Sequence, residues 1–266
     1  MKGQPSLPEE LPDLYDAMAD AYDRLDDWIV ANWGEKPRPE RADFLQKFWS
    51  SRTGEVRSVL EICCGTGLML EQLALRGFDV AGLDRSEAML GHARRRLGEQ
   101  VPLVHAELPA IPVERQFDAV VSPGAALNYT SSREDLARTF RAVAHVLRPG
   151  GSFVFDILSP GMMADHAGST VWAADLGDLA FVWAFADSAD GRYSDATYTQ
   201  FLRRADDAGG SYIRTREQHR LYTLDPEMIR SAAQDCGLTD GAVYDNYTFH
   251  PAHDGTRYET WAFTRA

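Results

Sequence analysis

The sequence predicts an α/β protein: a seven-stranded, doubly wound sheet with a small antiparallel sheet inserted late and a helical lid in front. Three observations carry that reading. From Ser58 to Ile157, short apolar runs alternate with helical stretches. The first run ends in a tight turn, Cys64-Gly65-Thr66-Gly67. After Ser159-Pro160-Gly161 the rhythm gives way to strand-like alternation until Asp225.

Pro5, Pro8 and Pro12 mark residues 1–12 as a loose arm. Leu14, Met18, Tyr22, Leu25 and Ile29 then recur at helical spacing, which predicts a helix carrying Tyr15 and Tyr22 on one face. A second helix is expected from Ala42 to Ser50. Strands follow at Ser58–Cys63, Asp79–Leu83, Val101–His105, Phe117–Ser122 and Ser152–Ile157. The helices between them start at Gly67, at Ser86 as N-cap, and after a capping box of Ser131 and Glu134. "RPGG" (148–151) reads as the turn into the fifth strand. The inserted strands include "LAFVWAF", "RYSDATYTQFLRR" and "GSYIRTREQHRLY". Asp225 with Pro226 opens a last helix that stops at Gly237, and two strands near 241–248 and 257–264 complete the sheet. The organisation expected is 1–52 arm and lid, 53–158 with 223–266 core, and 159–222 insertion.

Composition narrows the partners. A net charge of −13 opposes a nucleic-acid partner, because phosphate binding needs clustered Lys and Arg. The one basic cluster, Arg94-Arg95-Arg96, ends a helix, where cations suit the dipole. No apolar run approaches the roughly 18 residues of a membrane helix, and no leader pattern follows Met1. Three cysteines, one of them distant at Cys236, make no disulfide framework. The expectation is a reduced, cytoplasmic protein with no membrane partner, compatible with a homo-oligomer.

The chemistry sits in "VLEICCGTGLML" (59–70). Glu61 ends a strand, the glycine turn opens a helix, and Asp84 ends the next strand 23 residues on. Helix N-termini and bare backbone suit a ligand lying close to the main chain, and a carboxylate at Asp84 suits ribose hydroxyls. A nicotinamide or flavin site favours G-x-G-x-x-G, but the third position here is Leu70. Glu61 would repel a pyrophosphate and attract an ammonium. A nucleoside bearing an α-amino acid, without phosphate, fits: S-adenosyl-L-methionine.

"VLEICCGTG" resembles the first motif of class I S-adenosylmethionine-dependent methyltransferases, with their Rossmann-like sheet. "VAGLDRSEAML" (80–90), "AELPAIPVERQFDAVV" (106–121) and "RPGGSFVF" (148–155) resemble the second, third and post-catalytic motifs in order. The resemblance implies a cofactor site of Tyr22, Glu61, Cys63, Gly65, Thr66, Gly67, Asp84, Arg85, Met89, Glu107, Leu108 and Ser122. In it Asp84 holds the ribose, Met89 lies against adenine, and Glu107 and the Leu108 backbone lie near its amino group. Adjacent Cys63 and Cys64 lack the C-x-x-C spacing of metal or redox sites and read as small residues tolerated in a crowded turn, so no metal is expected.

The resemblance places the loop "SPGAALNYT" (122–130) beside the transferred methyl group, making Asn128 and Tyr129 candidates for substrate contact. Its Gly124-Ala125 departs from the pattern of the adenine-methylating DNA enzymes. Tyr15 and Tyr22 read either as part of a docked amphipathic helix or as a lid whose phenols reach the reacting groups. Glu217 and His219 share one strand face, with His219 either a base or a structural histidine. Trp172, Phe181, Trp183, Phe185 and Tyr212 fill the small sheet's core, or in part shape a substrate pocket. The catalytic candidates are Tyr15, Tyr22, Asn128 and His219. The function expected is methyl transfer to the nitrogen of a small-molecule amine. The alternatives are an O-methyltransferase using His219 as base and a non-catalytic S-adenosylmethionine-binding protein.

Overall fold

The structure is a computed structural model that describes residues 14–52, 55–165, 170–204 and 210–266. The arm expected over 1–12 and most of the turn at 206–210 lie outside the described residues.

Helices α1 (Tyr22–Trp33) and α2 (Arg38–Ser50) come first. The core then alternates: β1 (Ser58–Ile62), α3 (Leu68–Leu75), β2 (Asp79–Asp84), α4 (Glu87–Leu97), β3 (Leu103–His105), β4 (Phe117–Ser122), α5 (Arg133–Val146) and β5 (Leu147–Leu158). A short α6 (Pro160–Asp165) leads to four inserted strands, β6 (Thr170–Asp175), β7 (Leu179–Asp187), β8 (Tyr193–Arg203) and β9 (Tyr212–Tyr222). Helix α7 (Pro226–Gln234), β10 (Leu238–Asp245) and β11 (Tyr258–Arg265) return to the core.

The large sheet runs β10-β11-β5-β4-β1-β2-β3, with β11 antiparallel to its neighbours, and the second sheet runs β6-β7-β8-β9. This is the seven-stranded α/β sheet with an antiparallel insertion that the sequence predicts. Alternate residues explain the two wound faces. Leu60 and Ile62 of β1 pack with Phe140 and Val143 of α5 and Ile229 of α7. Val59, on the other face, packs with Leu45 and Phe48 of α2, Leu70 and Leu73 of α3, and Leu90 of α4.

Several local expectations change. Residues 14–18 form turns followed by a 3₁₀ turn (Ala19–Ala21), so the helix begins only at Tyr22, and Tyr15 adopts a left-handed φ of 76°. Tyr15 and Tyr22 are therefore not neighbours on one helix face. The reason is tertiary: Glu217 accepts hydrogen bonds from the Tyr15 and Ala17 N–H groups, which holds them out of a helical turn. Helix α5 is capped by Ser132, whose Oγ accepts from Asp135 N, one residue later than the Ser131 expected. "RPGG" stays within β5 as an irregularity in its pairing with β4. Tyr212 is 47% exposed and lies outside the insertion's core.

Candidate active site

Parallel pairing sets Glu61 opposite Gly82, two residues before Asp84, so both carboxylates stand at the same end of the sheet. The turn after β1 places Gly65 in a left-handed conformation, and a Cβ there would meet only Tyr22, 4.0 Å away. That bare backbone forms one side of a cavity of about 600 Å³, counting its open mouth, lined by Tyr15, Tyr22, Cys63, Asp84, Arg85 and Met89 among others.

Asp84 bridges the two loops: one carboxylate oxygen accepts from Gly65 N at 2.8 Å and the other from Ser86 N at 2.9 Å. Glu61 is 3% exposed, and its Oε2 has no hydrogen-bond partner among the described residues. Burial pushes its carboxyl up to about 8, partly opposed by the nearby Arg38 guanidinium. A buried acceptor of this kind suits a cationic group of a ligand. Arg38 was not among the sequence-predicted residues. Its guanidinium pairs with Asp26, while its buried Nε has no hydrogen-bond partner among the described residues.

The remaining sequence candidates are distributed as follows. Cys63 lines the cavity with φ of 59°, and burial pushes its thiol up, away from reactivity. Cys64 packs into the space left by Gly82: a Cβ on Gly82 would sit 2.8 Å from its sulfur and 2.7 Å from Leu70 Cδ1. Gly67 lets α3 approach α4, since its Cβ would meet Leu97 and Ala93. Thr66 donates to Asp23 of α1 and does not line the cavity. Glu107 is exposed and pairs with Arg85 at 2.9 Å. Leu108 packs against the core, and Ser122 is fully buried with no partner for its Oγ among the described residues. Neither Glu107, Leu108 nor Ser122 lines the cavity.

A second cavity of about 750 Å³, again counting its mouth, adjoins the first. Tyr15, Tyr22, Gly124 and Tyr129 line both. Trp33, Trp183, Phe185 and Tyr258 are aromatic members of its lining, with Asp26, Glu35 and Arg38 among the charged ones. The insertion's aromatic face thus divides between packing on α1 and lining this chamber: Trp33 stacks on Trp183 at 5.2 Å, and Trp28 meets Phe181 edge-on at 5.0 Å. His219 also lines the chamber. The Tyr15 hydroxyl donates to the Tyr129 hydroxyl at 2.6 Å, and Tyr129 Oη lies 3.0 Å from His219 Nδ1. His219 Nε2 lies 3.2 Å from Glu217 Oε2, within ion-pair reach but outside hydrogen-bond geometry. Burial raises the Tyr129 and Tyr15 phenols above their ordinary range, so both stay protonated. Asn128 faces neither cavity. Its Nδ2 donates to Tyr222 O and its Oδ1 accepts from Leu158 N, which ties the loop after β4 to β5 and β9.

Residues 59–151 match the family model described as a methyltransferase domain. This stretch of the chain carries a methyltransferase domain. The glycine-turn cavity combines bare backbone at Gly65 with Asp84 at the strand end, and the buried Glu61 carboxyl stands outside its lining, at the same end of the sheet. Relatives extend beyond the methyltransferase domain. A Bacillus subtilis (strain 168) protein, YqeM, named as a methyltransferase with no substrate in its name, is 27% identical over 244 residues, 88% of this chain and 90% of its own. A dTDP-3-amino-3,4,6-trideoxy-alpha-D-glucopyranose N,N-dimethyltransferase of Streptomyces venezuelae is 39% identical over 106 residues, 40% of this chain and 44% of that enzyme. In fold, the chain is similar to an S-adenosylmethionine-dependent methyltransferase from Clostridium acetobutylicum ATCC 824 (TM-score 0.82, 21% identity, covering 92% of this chain and 99% of that one).

Proposed function

We propose that this methyltransferase transfers a methyl group to the nitrogen of a small-molecule amine held in the aromatic-lined chamber. The observation that carries this reading is the junction of the two cavities at Tyr15, Tyr22, Gly124 and Tyr129. Support for nitrogen comes from relatives whose names are amino-sugar N,N-dimethyltransferases.

Bound S-adenosylmethionine supplies an electrophilic methyl carbon. On this reading Glu61 meets the amino-acid ammonium, Arg38 offers its Nε–H to the carboxylate, and Asp84 accepts from the ribose. The chamber's task is then alignment of the acceptor atom with that carbon. The acceptor nitrogen must shed a proton. Tyr129 Oη already accepts from Tyr15, and its remaining lone pair can receive the acceptor's N–H while its own proton passes to His219 Nδ1. Because burial keeps the Tyr129 phenol protonated, it relays the proton and does not store a charge. Tyr22, at the cavity junction, closes the water path.

The Tyr129–His219 pair also supports a second reading, transfer to a hydroxyl with His219 as base. Incubation with cofactor carrying a labelled methyl group and a panel of amines and phenols, with the product atom located by NMR, separates the two. Labelled N-methyl products support the first reading. Labelled O-methyl products support the second, and transfer to no member of the panel counts against both.

A further inference from the structure

Glu217 is buried, 4% exposed, on β9 against the turn at Tyr15–Ala17, and methyl transfer as described leaves it without a task. Its two oxygens accept from the lid backbone, Oε2 from Tyr15 N and Oε1 from Ala17 N, both at 2.8 Å. The Ala17 carbonyl is held from the same sheet, by Gln200 Nε2 at 2.8 Å and Thr215 Oγ1 at 3.4 Å. These contacts fix Tyr15 at its φ of 76°. There its phenol reaches Tyr129 and its ring lies 5.0 Å from that of His219. The opposite edge of the lid is latched to the core: Asp16 accepts from Ser86 Oγ, Asp20 lies 3.0 Å from His92 Nε2, and Asp23 accepts from Thr66 and Arg96.

We infer that Glu217 is a positioning residue that couples lid closure to assembly of the Tyr15–Tyr129–His219 hydrogen-bond chain, so that Tyr129 is oriented for the proton relay only while the lid covers the cofactor cavity. The inference rests on the proposed proton path but is tested first where no acceptor is needed. With the lid raised, Tyr15 leaves Tyr129 and Glu217 loses both backbone donors. With it docked, one carboxylate holds the lid turn and stands beside the imidazole. The lid then gates cofactor exchange and turnover together.

The test uses the full chain loaded with S-adenosylhomocysteine, comparing wild type with Glu217→Gln, Glu217→Asp and Tyr15→Phe. Glu217→Gln can accept only one of the two lid amides well, and Glu217→Asp keeps the charge but is a methylene too short to reach both. In both Glu217 variants, amide exchange at residues 14–18 is expected to quicken about tenfold, the equivalent of one lost hydrogen bond. Release of S-adenosylhomocysteine quickens alongside it. Tyr15→Phe keeps the backbone tie and loses only the phenol contact to Tyr129, so exchange and release quicken less than in the Glu217 variants. With an acceptor from the panel, all three variants lose kcat by about tenfold or more while KM for the acceptor changes little. Wild-type exchange and release in both Glu217 variants would overturn the coupling. Faster release with unchanged kcat would also overturn it, leaving Glu217 a lid tie alone. Failure of the proton-path reading would show separately, as an unchanged kcat in a Tyr129→Phe variant, and an unchanged kcat in Tyr15→Phe would overturn the orientation of Tyr129 by the lid. If Glu217→Gln does not fold, Glu217→Asp alone decides.

Discussion

Tyr129 Oη lies 3.0 Å from His219 Nδ1 although 90 residues separate them. One residue comes from the loop after β4 and the other from the inserted sheet, so the pair exists only because the insertion folds back over the core. Tyr129→Phe keeps the ring that lines both cavities and His219 lies outside the cofactor cavity, so either change should remove the proton path while leaving that cavity's shape. Tyr129→Phe and His219→Gln are each expected to lower kcat by about 100-fold. Calorimetry should find S-adenosylmethionine affinity within a few-fold of wild type, and a large loss of affinity would place these residues in cofactor binding instead.

The raised Glu61 carboxyl gives cofactor binding a pH dependence with a definite sign. The free protein holds Glu61 protonated up to about pH 8, whereas an ammonium beside it favours the carboxylate. Binding then releases a proton, so affinity should tighten as pH rises towards about 8 and level off above it. For the fold without ligand the sign is opposite. Because the folded value lies above the ordinary 4.5, this group's contribution to stability is full below 4.5 and is lost as pH rises to about 8. Calorimetry in buffers of different ionisation enthalpy measures the proton release. Glu61→Gln should abolish it and flatten the pH dependence of Tm.

Cys64 and Gly82 should behave as one packing unit. Gly82→Ala places a methyl against sulfur and Leu70, and is expected to cost about 1–3 kcal/mol in urea unfolding. Cys64→Ala in the same chain should restore part of that loss. Strictly additive effects would show that the two sites do not share space.

Asn128 separates structure from chemistry. Asn128→Ala strands Leu158 N–H and Tyr222 C=O in a buried setting and should destabilise the chain by about 1–3 kcal/mol. At a temperature where the variant is folded, kcat should stay near wild type. A 100-fold fall in kcat with unchanged Tm would instead make Asn128 part of the reaction.

The core of this protein was legible in its sequence because its signals are local. Strand and helix periods, the Ser86 cap, the glycine turn and the acids ending β1 and β2 each depend on residues close in the chain, and parallel pairing brings Glu61 and Asp84 to one end of the sheet. The cysteine pair was legible too, as small residues in a crowded turn. The side-chain contacts of the N-terminal segment and of the chamber were not. The spacing of Leu14, Met18 and Tyr22 reads as helix, yet the turn at Tyr15 is decided by Glu217, 202 residues away. Asn128 reads as a substrate contact until its amide is seen bridging two distant backbone groups. Arg38 gave no signal, since it meets Asp26 of α1 only once the chain has turned back between α1 and α2. Periodicity and short motifs report what a segment does against its own neighbours. Which side chains meet across a cavity is set by long-range docking of the inserted sheet and lid, and only the folded chain contains that information.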